Sequence, residues 1–306
     1  MSFSLITVVL AAAITAGTPI LYASLGELIS ERAGVLNLGV EGMMLVGAVT
    51  GFIITVQTGS HWLGFCMAIF SGGLVAMIHA FLTVTLRANQ VVSGLALTMF
   101  GTGLSGYLGQ EIVGIPLQSP FRAFELPGLG GIPVLGPIFF QQDALVYLTY
   151  ILIPICWYFL FRTPAGLNLR AVGEHPGAAD AAGINVALYR YLAVVAGGML
   201  AGAGGAYLSL AYSPSWMQNM SAGRGWIAVA LVIFAMWNPM RAMLGAYLFG
   251  GIEALGFRLQ AVGITISPFF LRMLPYLFTV IVLVLVTSGR NAAPAALGVS
   301  YEREER

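Results

Sequence analysis

The sequence predicts an all-α, polytopic integral membrane protein: a helical bundle of about nine spans (eight to ten), N-terminus outside, C-terminus cytoplasmic. Three observations carry this. The 306 residues are 58% hydrophobic and only 8% charged, where a soluble domain carries about 25% charged residues. So few charges cannot cover a water-exposed surface, and the mean hydropathy of +0.90 agrees. The apolar residues also gather in runs that approach the roughly 20 residues a bilayer crossing needs. The 39 glycines suit helices whose backbones pack closely in lipid.

The first run, about 4–25, has no basic residue before Arg32. It therefore reads as a retained span and not as a cleaved signal, which needs a positive start. Further spans are expected at about 37–57, 62–86, 91–111, 144–161, 187–211, 224–238, 240–257 and 268–288. The seventh and eighth are short and separated only by Asn238-Pro239-Met240. Pro239 favours a break there, with a single kinked or re-entrant unit as the alternative. Residues 1–288 thus read as one transmembrane domain. The tail 289–306, ending Tyr301-Glu302-Arg303-Glu304-Glu305-Arg306, reads as a disordered cytoplasmic end.

Arginine placement sets the orientation. Alternate loops divide into one set with Arg32, Arg87, Arg162, Arg170, Arg241, Arg290, Arg303 and Arg306, and another with Arg122, Arg224, Arg258 and Arg272. The richer set is assigned to the cytoplasm. Two loops are long. The outer loop 112–143 is rich in turns (Ile115-Pro116, Leu126-Pro127-Gly128, Ile132-Pro133, Gly136-Pro137) yet apolar enough to pack on the outer mouth. The other, 163–186, is cytoplasmic.

Several chemistries find no support. A net charge of +1 gives no reason to expect a nucleic-acid partner. All 13 basic residues are arginine, so the lysine of a phosphate-binding loop is missing. His61, His79 and His175 are far apart, and the sequence has no His-Glu-x-x-His and no paired cysteines. No metal site, cofactor or catalytic set is expected, and the chain does not read as an enzyme. Cys66 and Cys156 sit in apolar runs and read as free, buried thiols. What remains is movement of something across the membrane.

Three segments carry polar groups where that movement would need them. In Gly26 to Met44, Glu27, Glu31 and Arg32 cluster at the end of the first span, and Asn37 and Glu41 lie inside the next apolar run among Gly34, Gly39 and Gly42. Such groups are costly in a span and face a cavity or a partner helix. One reading is a broken helix lining a pathway; the other is bonding to neighbouring backbone. In Arg87 to Leu95, Asn89, Gln90 and Ser93 suit a neutral polar solute, and equally suit capping the next helix. In Gly166 to Asn185, Pro176 fits the first turn of a helix and Gly183 its end. That helix, of about two turns, is too short to stand alone. It is either a lever for a second protein or a connector on the membrane surface.

The runs Glu31 to Met44, Asn89 to Leu95 and Arg170 to Asn185 resemble the permease subunits of bacterial ATP-binding-cassette (ABC) importers. The resemblance is to the branch with ribose-type sugar, branched-chain amino acid and nucleoside permeases. Ala206 to Leu210 followed by Met220 to Trp226 is similar to the nucleoside (simple-sugar) type. It implies a bacterial inner-membrane protein working with a second homologous permease, two ABC ATPase subunits and an extracytoplasmic solute-binding protein. It also implies that Arg170, Gly173, Glu174, His175, Pro176, Asp180 and Gly183 belong to an ATPase-coupling loop. His175 stands where relatives often have Asn. Nucleosides are the expected solute, with Asn37, Glu41, Asn89, Gln90, Ser93 and Trp226 as pathway candidates; ribose-type sugars come next and branched-chain amino acids third. The reading from another class is an ion-coupled carrier using Glu41 and Glu253.

Overall fold

The computed structural model of the chain describes residues 3–261 and 293–303, with 267, 270, 273, 274, 276–278, 280, 281 and 284. Its α-helices are α1 (Phe3–Arg32), α2 (Val40–Thr58), α3 (His61–Ala80), α4 (Gln90–Gly109), α5 (Ala144–Arg162), α6 (Pro164–Glu174), α7 (Pro176–Ala181), α8 (Val186–Tyr207), α9 (Arg224–Phe234) and α10 (Pro239–Ala261). α3 and α8 widen into π turns over Phe81–Thr85 and Leu208–Tyr212. Among the described residues, α1–α5, α8 and α10 are long and apolar enough to cross a membrane. Lipid offers backbone groups no partner, so each segment must satisfy its own, and a helix does so. Side chains just ahead of the helices set several starts: Ser60, Asn89, Asp143, Thr163 and Asn185 each accept a first-turn N–H.

α1 is the central post, touching α5, α8, α9 and α10, and α2 packs on α3, α4 and α8. Backbone meets backbone where glycine allows it. A Cβ at Gly47 of α2 would lie 2.4 Å from the Gly202 carbonyl of α8, so no side chain fits between them.

The bundle has two distinct ends. At one, the Arg32 guanidinium donates to the Trp237 carbonyl (3.1 Å), and Gly173 of α6 accepts from Ala296 of the tail (2.9 Å). Arg87 pairs with Glu302 there as well. At the other lies the 112–143 loop. Its short ribbon pairs Phe124–Glu125 with Gln141–Gln142, and its Leu117, Phe121 and Ile138 are buried. Phe121 packs its ring against His61, Trp62 and Phe65.

The expected spans need correction at the seventh. The run 224–238 yields only α9, of 11 residues, about 16 Å long at 1.5 Å per residue against a hydrocarbon core of about 30 Å. The chain still runs between the two ends. Ser215 and Trp216 bridge to Pro116 and Val113 in the long loop, whereas Trp237 sits against Glu31 and Arg32. The first half of this passage, 213–223, is irregular because Ser213, Pro214, Ser215 and Asn219 favour turns. α10 then starts at Pro239, where Asn238 accepts the Met240 N–H (2.9 Å). Met236 and Trp237 make the corner in left-handed conformation (φ 52° and 53°), a strained pair held by the bonds to α1. The ninth expected span, 268–288, lies largely outside the described residues.

Two further expectations change. The tail does not stand off in solvent over 293–303: Ala296 is buried and Tyr301 packs on Val172, Ala179 and Val186. Of the two free cysteines, Cys156 is buried as expected but Cys66 is exposed, because it lies on the outward face of α3.

Candidate functional site

Among the described residues, irregular backbone enters the bundle at two places. The first interruption, 33–39, joins α1 to α2. The Glu27 carboxylate accepts the Asn37 N–H (2.8 Å), and the Asn37 side-chain oxygen accepts the Gly39 N–H (3.0 Å). Gln90 of α4 accepts the Leu36 N–H (2.7 Å). His79 of α3 bridges Leu36 O (3.0 Å) and Ser93 Oγ (2.9 Å). All these polar side chains are buried. Freed backbone groups are thus answered by side chains from three helices, as the membrane interior requires.

The second interruption is 213–223 with α9 below it. Here Glu41 of α2 holds the start of the half-helix. Its Oε1 accepts from Ser221 Oγ (2.6 Å) and the Gly223 N–H (2.8 Å), and its Oε2 from the Gly225 N–H (2.7 Å). A carboxylate at a helix N-terminus answers both the orphan donors and the positive end of the helix dipole. The approach is close enough that a Cβ at Gly225 would fall 2.6 Å from the Glu41 backbone.

Beside this break opens a groove of about 660 Å³. Tyr212, Phe257 and Tyr276 give it aromatic walls, and Gln218, Asn219 and Gln260 supply uncharged hydrogen-bonding groups. Among the described residues its charged lining side chains, Arg224 and Glu253, pair with each other. Tyr212 donates to Glu253 (3.3 Å), and the Arg224 guanidinium lies over the Tyr212 ring at 5.5 Å.

The 163–186 loop folds into two helices. Thr163 caps α6 and Pro164 opens it. Pro176 opens α7, and Gly183 ends it at φ +83° with its N–H on Asp180 O (2.9 Å). Arg170 and Arg32 lie over the same Phe161 ring, at 5.3 and 5.7 Å. Asp180 pairs with Arg303 (3.1 Å), and Glu174 accepts the Ala295 N–H (3.2 Å). His175 makes no side-chain capping bond to α7.

The family model for branched-chain amino acid transport system permease components matches residues 9–287. The chain belongs to this permease family. It is 46% identical to a putative glucose ABC transporter permease protein of Haloferax volcanii, over 96% of this chain and 97% of that one. It is 38% identical to a nucleoside ABC transporter permease protein of Lactococcus lactis, over 93% of each chain. With a guanosine ABC transporter permease protein of Bacillus subtilis the identity is 36%, over 99% and 98%. No solved structure matches the chain.

The permease brings some of its sequence-picked residues together and separates others. Asn37, Gln90 and Ser93 meet at the first break and Glu41 serves the second; none of the four lines the groove. Asn89 is exposed and caps α4 through the Val92 N–H (3.1 Å). Trp226, 36% exposed on α9, lies outside the groove lining. The groove residues Tyr212, Gln218, Asn219, Phe257, Gln260 and Tyr276 were not singled out. Gln218 and Asn219 lie in the run Ser213 to Arg224, with Tyr212 just before it, whereas Phe257, Gln260 and Tyr276 come from later in the chain. The loop residues Arg170, Gly173, Glu174, His175, Pro176, Asp180 and Gly183 do gather at one end of the bundle.

Proposed function

We propose that the permease forms the translocation path of an ATP-driven importer for a neutral polar solute, nucleosides, beside a second permease chain. The groove next to α9 is where the solute passes. The carrying observation is that the half-helix N-terminus is already filled by Glu41. Broken membrane helices commonly offer that positive end to a substrate carboxylate. With it occupied by the protein's own carboxylate, and with Arg224 matched to Glu253, the groove favours a solute without charge. Aromatic walls offer a stacking surface for a base, and Gln218, Asn219 and Gln260 suit its polar edge and its ribose hydroxyls. Asn37, Gln90 and Ser93 then support the path from behind.

The same observations weigh against an ion-coupled carrier. Glu41 accepts three donors and Glu253 is paired, so neither carboxylate awaits a cation. The arginine excess assigns the α6–α7 end to the cytoplasm, where two ATPase subunits dock on α7 and hydrolyse ATP; an extracytoplasmic binding protein delivers solute at the opposite end. A second reading, glucose, is favoured by the haloarchaeal relative at 46% identity.

The test is uptake into vesicles holding the assembled complex, with uridine, guanosine, glucose and leucine as competing labels. Nucleoside uptake that needs ATP and survives collapse of the ion gradients supports the proposal. Uptake driven by the gradient without ATP overturns it, and glucose uptake unaffected by excess nucleoside selects the second reading.

A further inference from the structure

We propose that residues 293–303 form a strap that locks the α6–α7 loop onto the ends of α1 and α3, and that coupling to the ATPase depends on it. The role in coupling rests on the importer reading above; the strap itself rests on the packing of the tail.

Within eleven residues the strap touches the ends of α6 and α1, then α7, the turn after α3 and Arg190 of α8. Its first part lies on the end of α6, where the Ala295 N–H donates to the Glu174 carboxylate (3.2 Å) and the Ala296 N–H to Gly173 O (2.9 Å). Next the Gly298 N–H donates to Gly34 O just beyond α1 (3.3 Å). Tyr301 then joins the small apolar cluster of Val172, Ala179 and Val186 that seats α7. Last, Glu302 pairs with Arg87 after α3, and Arg303 with Asp180 on α7 (3.1 Å).

Two features argue that the seat was built around the strap. Arg190 of α8 is buried at 2% exposure, and its guanidinium donates to the Val299 carbonyl (3.0 Å). Its Nε and Nη2 have no partner among the described residues, so Val299 supplies the acceptor for a charge that is costly to bury unpaired. Gly34, in left-handed conformation at φ +83°, has Ala296 O and Arg190 Nη2 about it; a Cβ would lie 3.1 and 3.2 Å from them. Larger residues at that point would push the strap off.

α7, with six residues, cannot hold its shape by itself. A push on an untethered α7 would rotate the loop and stop there. Tied through Asp180–Arg303 and Glu302–Arg87, it moves together with the turn after α3 and, through Gly298, with the end of α1. The strap therefore turns a local push into displacement of two spans.

Charge exchange tests this in the assembled complex. Arg303→Asp and Asp180→Arg each place like charges together, and each is expected to lower uptake per ATP hydrolysed by up to about fivefold. The double variant restores the pair and the uptake. In the permease alone in nanodiscs, hydrogen exchange of the α7 amides should speed up in each single variant and slow again in the double. Truncation after residue 292 should have the larger effect on both readouts; if the truncated chain fails to fold, the charge exchange decides. Unchanged α7 exchange in the single variants overturns the strap. Faster exchange with unchanged uptake per ATP overturns its part in coupling. A wild-type complex whose uptake ignores ATP would instead overturn the importer reading and leave the exchange result standing.

Discussion

The two irregular stretches inside the bundle have opposite fates. At 33–39 the polar side chains turn inward: Glu27, His79 and Gln90 each bond the backbone of residues 36 and 37, and the break is buried away from the groove, with Glu27 Oε2 and Gln90 Nε2 left without a partner among the described residues. At 213–223 one carboxylate, Glu41, secures the helix below, and Ser213, Gln218 and Asn219 face an open groove. Polarity in a span is therefore no sufficient mark of a pathway. What decides is whether neighbouring elements consume the hydrogen bonds or leave them for a solute.

The sharpest way to break this contrast is Glu41→Ala. It removes three bonds at once and strands two backbone donors and a hydroxyl in the interior. A loss of about 3 kcal/mol or more in stability is expected, read as a lower melting temperature in detergent, with uptake abolished. Gln90→Leu should come next, at about 2 kcal/mol for the stranded Leu36 N–H. Because that break is buried away from the groove, surviving protein should keep its solute KM; a shifted KM would move the pathway to residues 33–39. In the groove, Gln218→Leu should reverse this pattern. Stability should hold within about 1 kcal/mol while uptake falls about tenfold, a change of about 1.4 kcal/mol, through a raised KM. Asn89→Ala should be the mildest, costing about 1 kcal/mol as a lost cap with no effect on KM, and Asn89→Ser should restore it.

Local chemistry was legible in the sequence. Apolar runs, the N-cap residue Asn89 and the Pro176–Gly183 pair located most elements, because each depends on residues a few positions away. The groove was not legible, because nothing within Ser213 to Arg224 says that the stretch descends into the bundle. That follows from Glu41, some 180 positions earlier in the chain. The packing of residues 293–303 was hidden for the same reason. Tyr301-Glu302-Arg303 looks like any solvated end until Arg87 and Asp180 are brought beside it. Asn37 shows the limit most plainly: both readings of it need a buried polar group, and only the direction of its bonds separates them.

The half-helix α9 is pinned at both ends, to α2 through Glu41 above and to α1 through the Trp237 indole and carbonyl below. In mechanical terms it is a tie rod. Its hydrogen-bonded turns resist stretching, so α1 and α2 cannot slide past each other along the membrane normal without tearing one of its anchors. Any opening of the transport route must then come from tilting these three helices as one block. The distance between Arg224 on the rod and the break at residues 33–39 would stay constant through the cycle, whichever side the groove faces.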